Sequence, residues 1–258
     1  MGTDVARKPQ VGGPVASYIL LAFVASGCLL VLQGHSGIDP AALSVTQFGP
    51  VIAVAIVAMV WRERLRSLLP SAVPREVVAG RLVAVVVSCL ALWGLVAGAV
   101  VVGGGTLHGA QPVGGVPFVV FVLLQVIGAA GEEVGWRGFL QPVLESRYAR
   151  PVAIGLTGVV WALWHVAAFG HGPVVAVLFV CAVLGFACVL GYLAVGGFGQ
   201  RVLVGTVGHA LINIALYLVM GDDTLGLPQL AYYAGAALLV GALVWAWSAR
   251  RTGPTRLS

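Results

Sequence analysis

Glu132, Glu133, Arg137, His165, His209 and Asn213 stand out because each interrupts or ends an otherwise apolar stretch. An acidic group at the centre of a membrane span costs roughly 2.5–3.5 kcal/mol on insertion scales, so such residues are functional candidates by default. Glu133 and Arg137 lie four apart and share one helical face, which predicts an ion pair. Glu132 points about 100° away, as the 3.6-residue turn requires, and is left to face a wet cavity. The bland alternative puts both carboxylates at the membrane surface beside Arg137. His165 follows Trp161 by four residues, and His209 precedes Asn213 by four. Taken singly, each is a polar group that can bond to a neighbouring helix. Spread over three separate spans, they point instead to one shared site. A carboxylate base, a water holder and two oxyanion donors make a general acid–base hydrolysis set.

Other hydrolytic routes fit less well. An aspartyl mechanism needs paired aspartates in spans, whereas Asp4, Asp39, Asp222 and Asp223 all lie outside them. A serine mechanism needs Gly-x-Ser-Gly inside a span, and the spans carry none; Gly34-His35-Ser36-Gly37 falls after the first of them. The His-Glu-x-x-His pattern of zincins is missing. Glu132, His165 and His209 have the types of a three-ligand zinc site, but Asn213 beside His209 suits an oxyanion hole better than a zinc shell. No cofactor is firmly implied, and a divalent metal such as zinc remains the alternative.

The elements that must position these groups are membrane helices. The chain has 258 residues, 60% hydrophobic and 9% charged, with mean hydropathy +1.02. Soluble domains carry about 25% charged residues. Long apolar runs, rather than short alternating ones, predict helices and not a barrel. Spans are expected near 14–33, 43–61, 81–103, 116–137, 151–170, 173–196, 201–220 and 228–248. The expected fold is therefore an all-α polytopic bundle of about eight transmembrane helices in the cytoplasmic membrane. The first span reads as an uncleaved signal-anchor, being too long for a signal-peptide core. Cys28, Cys89, Cys181 and Cys188 lie within spans as small buried hydrophobes. The net charge of +5 does not imply nucleic acid, because the basic residues flank apolar spans.

Those basic residues set the orientation. Arg7 and Lys8 precede the first span. Arg62, Arg64, Arg66, Arg75 and Arg81 follow the second, Arg137, Arg147 and Arg150 the fourth, Arg201 the sixth, and Arg250, Arg251 and Arg256 the last. All fall on one side, which predicts that both termini are cytoplasmic. The opposite loops hold Asp39, Asp222, Asp223, His35, His108 and His171.

Glu132-Glu133-x-x-x-Arg137, an aromatic-x-x-x-His element at Trp161 and His165, and His209-x-x-x-Asn213 in a later span together resemble the CPBP family of intramembrane proteases. This family comprises the type II CAAX prenyl endopeptidases and bacteriocin-processing or immunity proteins. The resemblance covers roughly residues 116–220 and leaves the first three spans outside. It divides the chain into an N-terminal three-span segment (1–115), a protease-like core (116–220) and a last span with a basic tail (221–258). The second motif usually starts with Phe, and Trp161 replaces it here. The resemblance implies that Glu132 with His165 activates a water, that His209 and Asn213 stabilise the oxyanion, and that Glu133 and Arg137 support the site.

The expected function is an intramembrane endopeptidase acting on a membrane-associated or lipidated peptide or protein, with its site reachable from the cytoplasmic half. Membrane lipid and that substrate are the expected partners. Trp136, Phe139, Trp161 and Trp164 are candidates to line a greasy groove. The alternatives are a non-catalytic immunity or scaffold protein, or a transporter or haem protein using His165 and His209 as ligands. Depth arithmetic resists the protease reading: Glu132 sits near the end of its span, whereas His165, 14 residues after Pro151, would lie roughly 21 Å into the next. Their meeting requires the fourth span to run past Arg137, with residues 141–150 protruding or on the surface.

Overall fold

A computed structural model describes residues 9–221 and 223–252. Among these residues the backbone is helical, and a lone bridge between Val113 and Val116 is the only extended pairing. The helices are α1 (Gly12–Gln33), α2 (Gly49–Val60), α3 (Arg62–Leu68), α4 (Arg75–Val102), α5 (Phe118–Glu145), α6 (Arg150–Trp164), α7 (Pro173–Leu193), α8 (Phe198–Met220) and α9 (Gln229–Thr252). Pro50, Pro151 and Pro173 sit in the first turns of α2, α6 and α7, where a missing N–H costs nothing and the fixed φ is already helical. Short 3-10 turns precede α2 (Val45–Phe48) and follow α6 (Val166–His171).

Six of these helices, α1, α4, α5, α7, α8 and α9, are long and apolar enough to cross a bilayer. A seventh crossing is formed if Val45–Val60 and Arg62–Leu68, bent by 108° at Trp61, count as one broken span. The chain is a multi-pass membrane protein. Its surface accordingly exposes large aliphatics such as Leu20, Val31, Val83 and Leu243 to lipid. Each expected span overlaps one of these helices, but the second and the fifth are shorter than expected, α2 having 12 residues. Instead of running through residue 170, α6 stops at Trp164 after 15 residues, about 22 Å of helix at 1.5 Å per residue. Arg7, Lys8, Asp222 and Arg256, which entered the charge argument, lie outside the described residues.

The bundle has two chemically different ends. At one, Glu145 bonds the Arg201 guanidinium at 2.6 Å and approaches Arg150 at 3.4 Å. Arg150 also donates to the carbonyls of Gly191 (2.9 Å), Tyr192 and Ala194, where a cation suits the carboxyl end of α7. Gln141 is buried and donates to Gly191 O. Residues 141–144 therefore pack inside the bundle rather than protruding as the depth argument anticipated. At the other end, Gln33 donates to Leu43 O at 2.8 Å, Gln125 to Ala42 O, and Gly109 N to Leu218 O.

Close helix packing relies on small residues, as expected where lipid supplies no hydrophobic drive between helices. Gly185 of α7 abuts the backbone of Ala237 on α9, and Gly241, one turn further, approaches Gly185 O. A Cβ at Gly185 would strike main chain, which cannot swing aside. Gly185→Ala should therefore lower the thermal unfolding midpoint in detergent, by an overpacking cost of about 1–3 kcal/mol; an unchanged midpoint would show that α7 and α9 are not held this closely.

Candidate active site

The apolar first half of α5 ends in Gly-Glu-Glu. The helix then runs on through one wide π turn, Trp136–Leu140, a distortion common at functional sites, before regaining α geometry to Glu145. This continuation resolves the depth conflict. Glu132 stands 13 residues before Glu145, and His165 stands 15 residues after Arg150, so both lie about 20 Å from the same tight turn. Gly128 and Gly131 leave one face of α5 bare. The turn Val45–Phe48 fills it, with Gln47 lying where their Cβ atoms would be.

That close approach brings Gln47 to the first carboxylate. Its side-chain amide donates to Glu132 Oε1 at 3.0 Å. Glu132 Oε2 accepts the indole N–H of Trp136 at 3.1 Å and that of Trp161 at 2.8 Å. Glu132 is only 2% exposed, yet these donors compensate its charge and fix its orientation. An ionised carboxylate has about four lone-pair sites, so room remains for one further donor such as water. Trp161 is thus more than a large aromatic in place of Phe, since phenylalanine has no N–H to give.

The second carboxylate is tied differently. Glu133 Oε1 accepts from Arg137 Nη1 at 2.7 Å and from His209 Nδ1 at 2.9 Å. Glu133 and Arg137 are both 0% exposed, so this is a buried pair formed across one helical turn. The guanidinium carbon lies 4.3 Å from the Trp161 ring centroid, a cation–π arrangement. His209 packs edge-on to the same ring at 5.1 Å. Trp161 therefore touches both halves of the cluster, Glu132 through its N–H and Arg137 and His209 through its ring.

His165 caps α6 rather than sitting within a longer helix. Its ring Nδ1 lies 2.9 Å from Trp161 O. A carbonyl can only accept, so Nδ1 carries the proton and the Nε2 lone pair is free in the neutral ring. Its ring also packs against Trp164 and Phe179.

Glu132, His165 and Asn213 line one cavity of about 340 Å³, together with Gln47, Gln125 and Tyr217. Asn213 Nδ2 donates to Gln125 Oε1 at 3.1 Å, leaving its second N–H. His209 does not line this cavity; it is turned to Glu133. Of the aromatics expected to form a groove, only Trp164 lines a cavity. Trp136, Phe139 and Trp161 are buried in packing. The mouth also differs from expectation. The exposed residues of its lining are Pro40, Ala41 and Thr224, at the end opposite the arginines, and not on the basic side. Gln47, Gln125 and the indole donor of Trp136, a residue expected only to line a groove, were missed by sequence reasoning. Trp136, four residues after Glu132, and Gln125, a lone amide seven residues before it on the same face, were findable. Nothing in the local pattern around Gln47 marks it.

The donor set does not fit the zinc alternative as placed. Of the three groups only Glu132 and His165 line the cavity, His209 being tied to Glu133 instead, and no group of three His, Cys, Asp or Glu among the described residues is arranged to hold a metal.

Comparison with known proteins bears out the motif resemblance. Residues 114–215 match the family model described as type II CAAX prenyl endopeptidase Rce1-like. A stretch of 48 residues is 44% identical to CAAX prenyl protease 2 of Methanococcus maripaludis. That alignment covers 19% of this chain and 18% of the archaeal protein, so the chain matches under a fifth of its relative's length.

Proposed function

We propose, from the match of residues 114–215 to the Rce1-like type II CAAX prenyl endopeptidases, that the chain is an intramembrane endopeptidase using a water activated by Glu132 and His165. The observation that carries this reading is the convergence of Glu132, His165 and Asn213 on one cavity. A water between the Glu132 carboxylate and His165 Nε2 would lose its proton to Glu132 as its oxygen attacks the scissile carbonyl. The remaining amide proton of Asn213 stabilises the oxyanion, and the proton on Glu132 then passes to the leaving amine. His209 supports the site from behind the cavity, donating through Nδ1 to Glu133 and packing against the Trp161 ring. Gln47, Trp136 and Trp161 hold Glu132 still, so little reorganisation is needed at the moment of attack.

A second cavity of about 400 Å³ supports an apolar or lipidated substrate. It shares Trp164, His165 and Phe179 with the first and is lined by Phe23, Leu30, Val166 and Leu225. An acyl chain or hydrophobic segment seated there would place its neighbouring peptide bond at His165.

The test is product mapping by mass spectrometry with purified protein and a library of soluble, lipidated and membrane-spanning peptides. Cleavage is expected with the apolar or lipidated members and should persist after dialysis against a strong chelator. Failure to cut any of them would count against the protease reading; loss on chelation, restored by zinc, would overturn the metal-free mechanism.

A further inference from the structure

The positions of the cavity mouth and of the basic residues, taken together, assign the side of the membrane from which substrate comes. Arg62, Arg64 and Arg66 on α3, Arg75 at the start of α4 and Arg147 after α5 are exposed at one end. Arg81, Arg150 and Arg201 lie at the same end, where Glu145 and the last carbonyls of α7 hold two of them. Arg137 is buried mid-helix and says nothing about topology. The loops at the opposite end, 34–48, 103–117, 165–172 and 221–228, contain no lysine or arginine. Short loops rich in Lys and Arg stay in the cytoplasm. The exposed residues of the cavity lining, Pro40, Ala41 and Thr224, lie on the face without cations, which places its mouth there.

We propose that the catalytic cavity faces away from the cytoplasm, and that its substrate is an exported or membrane-anchored polypeptide cut in, or just beyond, the outer half of the bilayer. The proposal rests on the protease reading of the site. The lining chemistry agrees with it. None of the residues lining the cavity is a lysine or arginine, so a substrate carboxylate close to the scissile bond has no cation to meet there. It would meet Glu132 instead, and like charges in such surroundings repel strongly. A bond followed by further uncharged chain fits better than one a few residues from a free C-terminus. The apolar cavity beside His165 then receives the hydrophobic anchor of that chain.

The experiment is accessibility labelling of the full chain in a variant whose four free cysteines, Cys28, Cys89, Cys181 and Cys188, are replaced. Ala41→Cys and Thr224→Cys sit at the mouth; Ser67→Cys sits on exposed α3 at the other end. With a membrane-impermeant maleimide on intact bacterial cells, the two mouth variants should be labelled as fully as in lysed cells, and Ser67→Cys only after lysis. Labelling of Ser67→Cys alone in intact cells, or of none of the three, would overturn the assignment. Should the cysteine-free chain fail to reach the membrane, an epitope inserted after Gly104 in the otherwise native protein must be detected on intact cells; its detection only after permeabilisation would overturn the assignment equally. A final arm uses sealed vesicles carrying an impermeant peptide outside. Cleavage should scale with the fraction of molecules whose mouth is labelled from outside, and scaling with the opposite fraction overturns the proposal. These labelling readouts need no activity, so an inactive but correctly sided protein counts against the protease reading and not against the orientation.

Discussion

Glu132→Gln should abolish peptide cleavage while leaving the protein folded and inserted. The amide keeps the shape of the carboxylate and still offers an oxygen to the indole donors of Trp136 and Trp161, so packing around it survives. It cannot take a proton from water. General-base assistance contributes typically 10²–10⁴-fold, and a loss of about that size is expected in kcat with little change in KM, because the group acts in the transition state. Glu132→Ala should lose the same activity but also some stability, since the Gln47, Trp136 and Trp161 N–H groups would lose their acceptor in a buried place. The check is a rate assay on purified variants beside size-exclusion profiles and thermal unfolding. Activity of Glu132→Gln close to wild type would remove Glu132 from the chemistry.

The second large effect separates the adjacent carboxylates. Arg137→Ala should chiefly reduce membrane yield and thermal stability, with activity falling as a consequence. It strands Glu133, 0% exposed, with only His209 to compensate it, and breaking a buried pair costs on the order of 3–5 kcal/mol. It also removes the cation from the Trp161 ring, whose N–H holds Glu132. Arg137→Lys keeps the charge but not the planar reach to Glu133, so partial recovery of yield is expected. Arg137→Ala with normal yield and stability, set beside an unstable Glu132→Gln, would mean that the two carboxylates have exchanged roles.

Much of this division was legible in the sequence because helix geometry separates neighbours. Glu133 and Arg137, four apart, had to share a face, and Glu132 had to point elsewhere. The same spacing placed Trp136 under Glu132, but an aromatic in an apolar run reads as a groove-lining ring and not as an N–H donor. His165 was assigned to a helix running through residue 170. The backbone instead turns at His165 and passes Gly172 with φ +92, which frees the ring to enter the cavity. The π turn after Gly135 has no signature in composition or period; the depth arithmetic did require the fourth span to run past Arg137, as α5 does to Glu145, but it could not show that residues 141–144 are buried. Gln47 reaches Glu132 only because Gly128 and Gly131 leave space from 81 residues away or more in sequence, a tertiary fact that local patterning does not carry. The charge split gave a side for the loops, but the side of the mouth required knowing which loops surround the cavity.

The most direct test of the central claim, that Glu132 and His165 act on one shared water, is a double-mutant cycle on kcat. Groups that act as a unit are strongly non-additive, so removing either costs nearly as much as removing both. Glu132→Gln, His165→Ala and the double variant should therefore show similar residual rates, all far below wild type. A double variant whose loss equals the product of the two single losses, or a His165→Ala protein that retains full activity, would contradict it.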